Sequence, residues 1–364
     1  MKKIFKKFVE NQLKFLVSHL LKNNKPLIIG ITGSAGKTTT KELVYEVLNK
    51  SKKFHNKVSK SEGNLNTEVG LPISVLGFKN QPDNLQWPFL LLIAYFRVFI
   101  SQLNPIKNKK ILVLEFAADK PGDIEYLTSF IKPTISIITI IGPAHLVNYN
   151  SIEDIAKEKS KLIESLPSDG LAILNKNDYF SNKIVKQTKA NVKFFDSKTI
   201  DESKEIALIV ADYFEISKKE VENTISNFKP LKHRLNLLRS GKINIIDDSY
   251  NANPVSMQLA INTLSKYARE IRAKRKIAVL GDMLELGKDS KLYHQEIGEL
   301  AGNKVDILIG VGELSKYYKP KINFTNLHDA EIYLKNEIVD GDIILFKGSR
   351  RIGLDKLVNK ILVK

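Results

Sequence analysis

Cysteine is absent from all 364 residues. That excludes disulfides and cysteine-based zinc sites, and it leaves the redox compartment unreadable from thiols. Acidic residues are scarce beside basic ones, 40 against 57, for a net charge of +17. Such a balance asks for anionic company: a nucleotide, a phosphorylated substrate, nucleic acid or an acidic membrane surface. Lysine-rich bias alone accounts for part of it. No aromatic-rich signature of an RNA-recognition module is present, so nucleic acid is not favoured. Repeats and low-complexity linkers are also missing. Nor is there an apolar run fit to span a bilayer. The most hydrophobic stretch, residues 87–103, is interrupted by Arg97 and bracketed by Pro88 and Pro105. Core packing and membrane contact both suit it, and Trp87 and Tyr95 would fit a headgroup boundary. Residues 1–25 lack the continuous apolar core and cleavage site of a signal peptide. Ile4, Phe8, Leu13, Leu16 and Leu20 recur at helical spacing among lysines. The expectation is a basic amphipathic helix in a cytoplasmic protein, packed on the next domain or resting on a membrane surface.

What is present starts with residues 25–41. Residues 27–32 read as a buried strand, followed by a glycine-rich turn and a helix with Leu43, Val44, Val47 and Leu48 on one face. Gly33 and Gly36 let the backbone of Gly33-Ser34-Ala35-Gly36-Lys37-Thr38-Thr39 curl with its N–H groups inward. Lys37 and the helix N-terminus add positive charge, and the Thr38 hydroxyl is placed to ligate Mg²⁺. Ile31 stands where the strict G-x-x-x-x-G-K-[ST] spacing has its first glycine. A glycine-rich turn without a ligand is the other outcome; the strand before and the helix after favour a nucleotide site.

Beyond a polar segment at 51–67, read as a loop, apolar runs at 110–115, 134–141, 171–174 and 192–195 alternate with helical stretches. A second series follows at 243–247, 276–280, 306–310 and 342–346. The expectation is an α/β protein: a P-loop ATPase domain with a mainly parallel sheet at 26–236, then a smaller Rossmann-like domain at 237–364. Functional residues should gather at the carboxyl ends of the strands, where Glu115 and His145 fall. Glu115 suits the acidic partner of a phosphate loop; a strand-end carboxylate facing water is the plainer alternative. His145 alone would more often be structural. Ser151 with Asp154 approximates a helix cap, and Lys159 lies inside the apolar stripe of the helix that follows, whereas Lys157 and Lys161 lie outside it. A desolvated lysine amine is neutral and can take up CO₂ as a carbamate. Periodicity alone prefers a lysine snorkelling from the stripe edge.

Together these segments resemble a Mur ligase, one of the ATP-dependent amide-forming enzymes of peptidoglycan precursor synthesis, and within that family the MurF type. The resemblance runs over about residues 26–364. It is carried by residues 32–39, Gly63-Asn-Leu-Asn66, Glu115 with residues 121–124, Gly142-Pro-Ala-His-Leu146, residues 247–254, residues 281–287 and Lys347-Gly-Ser-Arg350.

The resemblance implies that D-alanyl-D-alanine is joined to a UDP-N-acetylmuramoyl-tripeptide through an acyl phosphate. Lys37 and the loop from Gly33 to Thr39 would hold the ATP phosphates. Thr38 and Glu115 would hold one Mg²⁺, with Glu115 and His145 serving a second. Lys159 would be the carbamylated lysine, which reverses the preference from periodicity. Asn64 and Asn66 would lie near phosphate and substrate, and Asn175 and Asp178 near the adenine. Arg234, Asp248, Tyr250 and Asn251 would complete the ATP pocket, while Lys347 and Arg350 would face the dipeptide carboxylate.

Departures are specific. Only about 25 residues stand where MurF proteins carry a uridine-nucleotide domain, so a shortened or outsourced grip on the UDP end is expected. Thr67, Ala117, Val147 and His233 replace a usual asparagine, glycine, glutamate and glycine. Two alternatives stand beside the MurF-type reading: a Mur-type ligase with a lipid-linked acceptor, and a non-catalytic ATP-binding scaffold. A monomer with peripheral membrane contact is expected.

Overall fold

The computed structural model describes residues 3–99, 110–196 and 202–362. The chain divides into two compact units. The first holds residues up to Ile141 together with Ser151–Phe228; the second holds Gly142–Asn150 and Lys229–Lys364.

In the first unit the order is α1 (Lys3–Asn24), β1 (Leu27–Thr32), α2 (Lys37–Lys50), β2 (Val58–Lys60), α3 (Gly70–Val75), α4 (Trp87–Phe99) and β3 (Ile111–Glu115). Then come α5 (Asp123–Thr128), β4 (Ile135–Ile138), α6 (Ile152–Glu164), β5 (Leu171–Asn175), α7 (Ser181–Ile184), β6 (Asn191–Phe195), α8 (Glu202–Tyr213) and α9 (Lys218–Ser226). The six strands form a parallel sheet in the order β2-β3-β1-β4-β5-β6. Successive side chains point to opposite faces of a strand. Ile28, Leu112 and Leu114 therefore join one core with α1, α4 and α5, while Ile29, Ile31, Ile111 and Val113 join the other with α2 and α8. Covering both faces is what lets the central strands β1, β3, β4 and β5 be buried and mostly apolar along their length.

β1 and Ile243–Asp247 have the expected bounds, and the other apolar runs agree within a residue or two except one. The run expected at 134–141 pairs only as far as Ile138. Beyond it Thr139 donates its N–H to Thr32 O, and Ile140 O accepts from Ser34 N, so the chain is drawn to the phosphate loop. Within the polar segment 51–67, read as a loop, β2 forms a short edge strand on β3.

α1 is part of the core: Val9, Leu13, Leu16, Val17 and Leu20 are buried with Trp87, Leu90, Leu91, Ala94 and Val98 of α4. Trp87, expected at a headgroup boundary, is only 1% exposed, because it shares the inward face of α4 with those residues. The end of the expected apolar segment, residues 100–103, lies outside the described residues.

The second unit runs β7 (Asn236–Ser240), β8 (Ile243–Asp247), α10 (Pro254–Glu270), β9 (Arg275–Gly281), α11 (Ser290–Gly302), β10 (Ile307–Val311), β11 (Ile322–Phe324), α12 (Leu327–Glu337), β12 (Asp342–Lys347) and α13 (Leu354–Leu362). Its sheet order is β11-β10-β9-β12-β8-β7, parallel except for the antiparallel pair β7 and β8. Again two cores form, with α10 and α11 on one face and α12 and α13 on the other. Among the described residues no helix is long and apolar enough to cross a membrane.

Because α1 supplies core contacts, Leu16→Ala should lower unfolding stability by about 2–5 kcal/mol. Urea titration checks this; an unchanged midpoint would mean that α1 is a detachable appendage.

Candidate active site

The phosphate loop connects β1 to α2. Gly36 has φ +78°, and a Cβ there would meet the Glu202 carboxylate at 2.4 Å; a Cβ on Gly33 would meet Thr139 Oγ1 at 1.9 Å. Only glycine fits both the turn and the close approach. No side chain caps the start of α2, and the partial positive charge of a helix N-terminus favours an anion. The Lys37 ammonium donates to Gly33 O at 2.8 Å, holding the side chain along the loop. From behind, the Thr139 hydroxyl donates to Ala35 O at 2.5 Å, and Ser34 N donates to Ile140 O at 2.7 Å.

Glu115 ends β3 beside this loop and is 2% exposed. Its Oε2 accepts the Thr38 hydroxyl at 2.9 Å, and its Oε1 accepts Asn66 Nδ2 at 3.0 Å. Its own N–H donates to Ser61 Oγ at 3.0 Å. Facing water, the plainer alternative for Glu115, does not occur. Asn64 lies exposed in the same turn as Asn66, whose N–H donates to Asn64 O at 2.9 Å.

Lys159 lies on α6, whose cap forms as expected: Ser151 Oγ accepts from Asp154 N at 3.1 Å. Lys159 is 3% exposed, so it does not snorkel. Burial lowers its pKa from 10.5 to about 7; the Lys37 charge pushes the same way, against Asp119, Glu158 and Glu115. A large fraction of the amine is therefore neutral at neutral pH. Glu158 fixes the helix locally, accepting from Gly122 N at 2.8 Å and Ile124 N at 2.7 Å.

At the end of β5, Asn175 Oδ1 accepts from Asn177 N at 2.9 Å. Its Nδ2 is buried and has no hydrogen-bond partner among the described residues. A buried orphan donor at a strand end marks room for an acceptor on a ligand. Asp178 ties the adjoining turns, accepting from Ile141 N at 2.7 Å and Phe180 N at 2.9 Å. Burial raises its pKa.

The remaining expected residues belong to the second unit. His145 has φ +54° and pairs through Nδ1 with Glu285 Oε2 at 2.7 Å. Arg234 stacks 4.1 Å from the Tyr250 ring centre, and the Arg350 guanidinium lies 5.7 Å from the same ring. Lys347, expected to face a carboxylate ligand, is 2% exposed and donates to Asp248 Oδ2 at 2.5 Å and Asn251 O at 2.9 Å. Burial raises the Asp248 pKa despite Lys347 and Arg234. Arg350 is exposed.

Sequence reasoning missed Ser61, Thr139, Glu158 and Glu202. Glu158 had a usable signal, a second charge flanking the buried lysine. Ser61, Thr139 and Glu202 act through backbone approaches that no spacing announces.

The Mur ligase middle domain model matches residues 31–247, and the model for the Mur ligase, glutamate ligase domain matches residues 233–350. The UDP-N-acetylmuramoyl-tripeptide–D-alanyl-D-alanine ligase of Bacillus subtilis (strain 168) is 28% identical over 382 residues, covering 92% of this chain and 76% of its own. The ligase of that name from Buchnera aphidicola subsp. Baizongia pistaciae is 30% identical, covering 92% and 75%. Among solved structures, MurF ligase from Thermotoga maritima in complex with ADP aligns with TM-score 0.79 at 26% identity, over 97% of this chain and 83% of that one.

Burial raises the Glu202 carboxyl from 4.5 to about 7. The folded protein then keeps a proton that the unfolded chain has already lost. The associated stability is fully present below pH 4.5 and falls, by about 3 kcal/mol, as pH rises to 7. Glu202→Gln should lack this loss. Urea unfolding of both proteins at pH 5 and pH 8 checks it; parallel behaviour would sink the assignment.

Proposed function

Because the chain belongs to the Mur ligase family, we propose that it is a cytoplasmic ATP-dependent ligase that joins D-alanyl-D-alanine to a UDP-N-acetylmuramoyl-tripeptide. The observation that carries this is the gathering of an uncapped phosphate loop, a clamped Glu115 and a buried lysine of depressed pKa in one unit. ATP phosphates are received by the loop from Gly33 to Thr39, with the Ser34 N–H bracing the loop against Ile140 O, and Lys37 exchanges its Gly33 carbonyl for phosphate oxygen. The orphan Nδ2 of Asn175 offers a donor to the base. Arg234, Asp248, Tyr250 and Asn251 are assigned to the nucleotide as well.

The Thr38 hydroxyl and Glu115 carboxylate, 2.9 Å apart, are hard oxygen donors that fit Mg²⁺. A carbamate on Lys159 would add a third. To form it, the neutral amine attacks CO₂, an N–C bond forms, a C–O π pair moves onto oxygen, and the nitrogen releases a proton to solvent. When bound, Mg²⁺ offsets phosphate charge during transfer.

The tripeptide carboxylate attacks the γ-phosphorus, the bond to the β–γ bridging oxygen breaks, and ADP leaves. Lys37 and the loop amides stabilise the charge that develops. The dipeptide amine then attacks the acyl carbon, phosphate departs and the amine loses its proton. Asn66 keeps Glu115 oriented throughout. Arg350, exposed after β12, suits the dipeptide carboxylate, whereas Lys347 braces its loop through Asp248. The exposed aromatic row of α4 favours a second reading, a lipid-linked acceptor in place of the soluble one.

Phosphate release that requires both UDP-muramoyl-tripeptide and D-alanyl-D-alanine is the expected result. Turnover only with a lipid-linked precursor would select the second reading, and ATP binding without amide formation on any precursor would favour a scaffold. Lys159→Ala should abolish turnover without rescue by bicarbonate, and should remove a carbamate ¹³C signal seen in the wild type after labelling with bicarbonate. Wild-type rates in that variant would dispose of the modified lysine.

A further inference from the structure

α4 buries one apolar face and exposes another. Leu85, just before it, then Phe89, Leu92, Phe96 and Phe99 recur every three or four residues and are between 53% and 95% exposed. They form a stripe along one side of the helix. The helix carries a single charge, and that charge is turned away: Arg97 bonds Leu76 O and Gly77 O and lies 4.2 Å from the Phe78 ring centre. α1 lies alongside and extends the stripe. Tyr95 donates to Gln12, Phe15 lies 6.4 Å from Tyr95, and His19 lies 5.0 Å from Phe99 between ring centres. Ile4, Phe8 and Phe15 of α1 are 86%, 52% and 52% exposed.

At 100° per residue, Lys7 and Lys14 fall on the arc of α1 beyond these aromatics, on the side away from α4. The one acid of α1, Glu10, pairs with Lys6. Beyond the lysines lies a cleft of about 400 Å³ walled by Lys14, Ser18, Lys22, Ser129, Phe130 and Lys132. No acid lines it. Lys14 reaches across it to Ser129 Oγ at 3.0 Å.

We propose that the paired outer faces of α1 and α4 seat on an anionic lipid surface, with the aromatic rows at the acyl boundary and the lysine cleft receiving lipid phosphate. Charge complementarity selects this occupant. An apolar band beside a lysine row matches the sequence of acyl chain and anionic headgroup met on entering a bilayer. The same face of a second copy of the chain offers no anionic row to meet the lysines, since the one acid of α1 is already paired with Lys6. The docking is independent of the ligase reading, since none of these side chains belongs to the phosphate-loop site.

The full chain is sedimented with phosphatidylcholine vesicles that contain or lack phosphatidylglycerol, and phosphate release in vesicle-free solution is followed in parallel. Binding at low salt, at least about tenfold stronger with phosphatidylglycerol and declining as salt rises, is expected. Phe89→Ser with Phe96→Ser should weaken binding about a hundredfold at an unchanged thermal midpoint, because both rings are exposed. Leu92→Gln alone should weaken it about tenfold. Lys14→Glu with Lys22→Glu should erase the preference for anionic vesicles. No binding at low salt overturns the proposal. So does concentration-dependent dimerisation that is lost in the phenylalanine variants while vesicles are ignored. Either result leaves the ligase reading to its own assay.

Discussion

A buried carboxylate must have its oxygens satisfied, and at Glu115 that requirement organises the first unit. The residue ends a central strand at 2% exposure, where an unpaired charge would be strongly disfavoured. One oxygen is taken by Thr38 at the start of α2 and the other by Asn66 in the following loop, while the backbone N–H is taken by Ser61. Two segments far from it in sequence, the start of α2 and residues 61–66, are thereby drawn to one strand end. The phosphate loop, the polar segment after α2 and the acidic partner thus make one constellation, held by charge-assisted bonds.

The same unit tolerates two further buried ionisable groups by changing their protonation. Lys159 approaches neutrality from above and Glu202 from below, each with a pKa of about 7. Neutral forms remove the desolvation penalty that charged ones would carry. For Lys159 the neutral amine is a nucleophile as well as a packing solution. For Glu202 it places an uncharged carboxyl against Gly36, where a carboxylate would oppose incoming phosphate.

Much of this arrangement was legible in the residues. Continuous apolar runs such as Leu27–Thr32 and Ile243–Asp247 announce strands buried on both faces, and the glycine-lysine turn between β1 and α2 announces its ligand class. What stayed hidden were edge elements and approaches. β2 and β11 are three-residue strands, and β7 alternates half-buried with exposed side chains before Ser240, so none carries a buried apolar run. The burial of Lys159 was ambiguous because a stripe position does not say how deep the neighbouring helix sits. Lys347 looked like a ligand-facing cation because its partner Asp248 lies 99 residues away in the chain. Trp87 looked interfacial because composition does not say which side of α4 faces inward.

The segment Gly142–Asn150 interrupts the first unit yet packs with the second, where His145 meets Glu285. During synthesis this stretch leaves the ribosome 140 residues before that acceptor, the interval from 145 to 285. At translation speeds it waits on the order of ten seconds for its binding surface to exist. The nascent chain must therefore close much of its first sheet around an unanchored nine-residue excursion, from 142 to 150. The order of emergence makes maturation of the two units sequential, with the excursion settling only as the second unit forms.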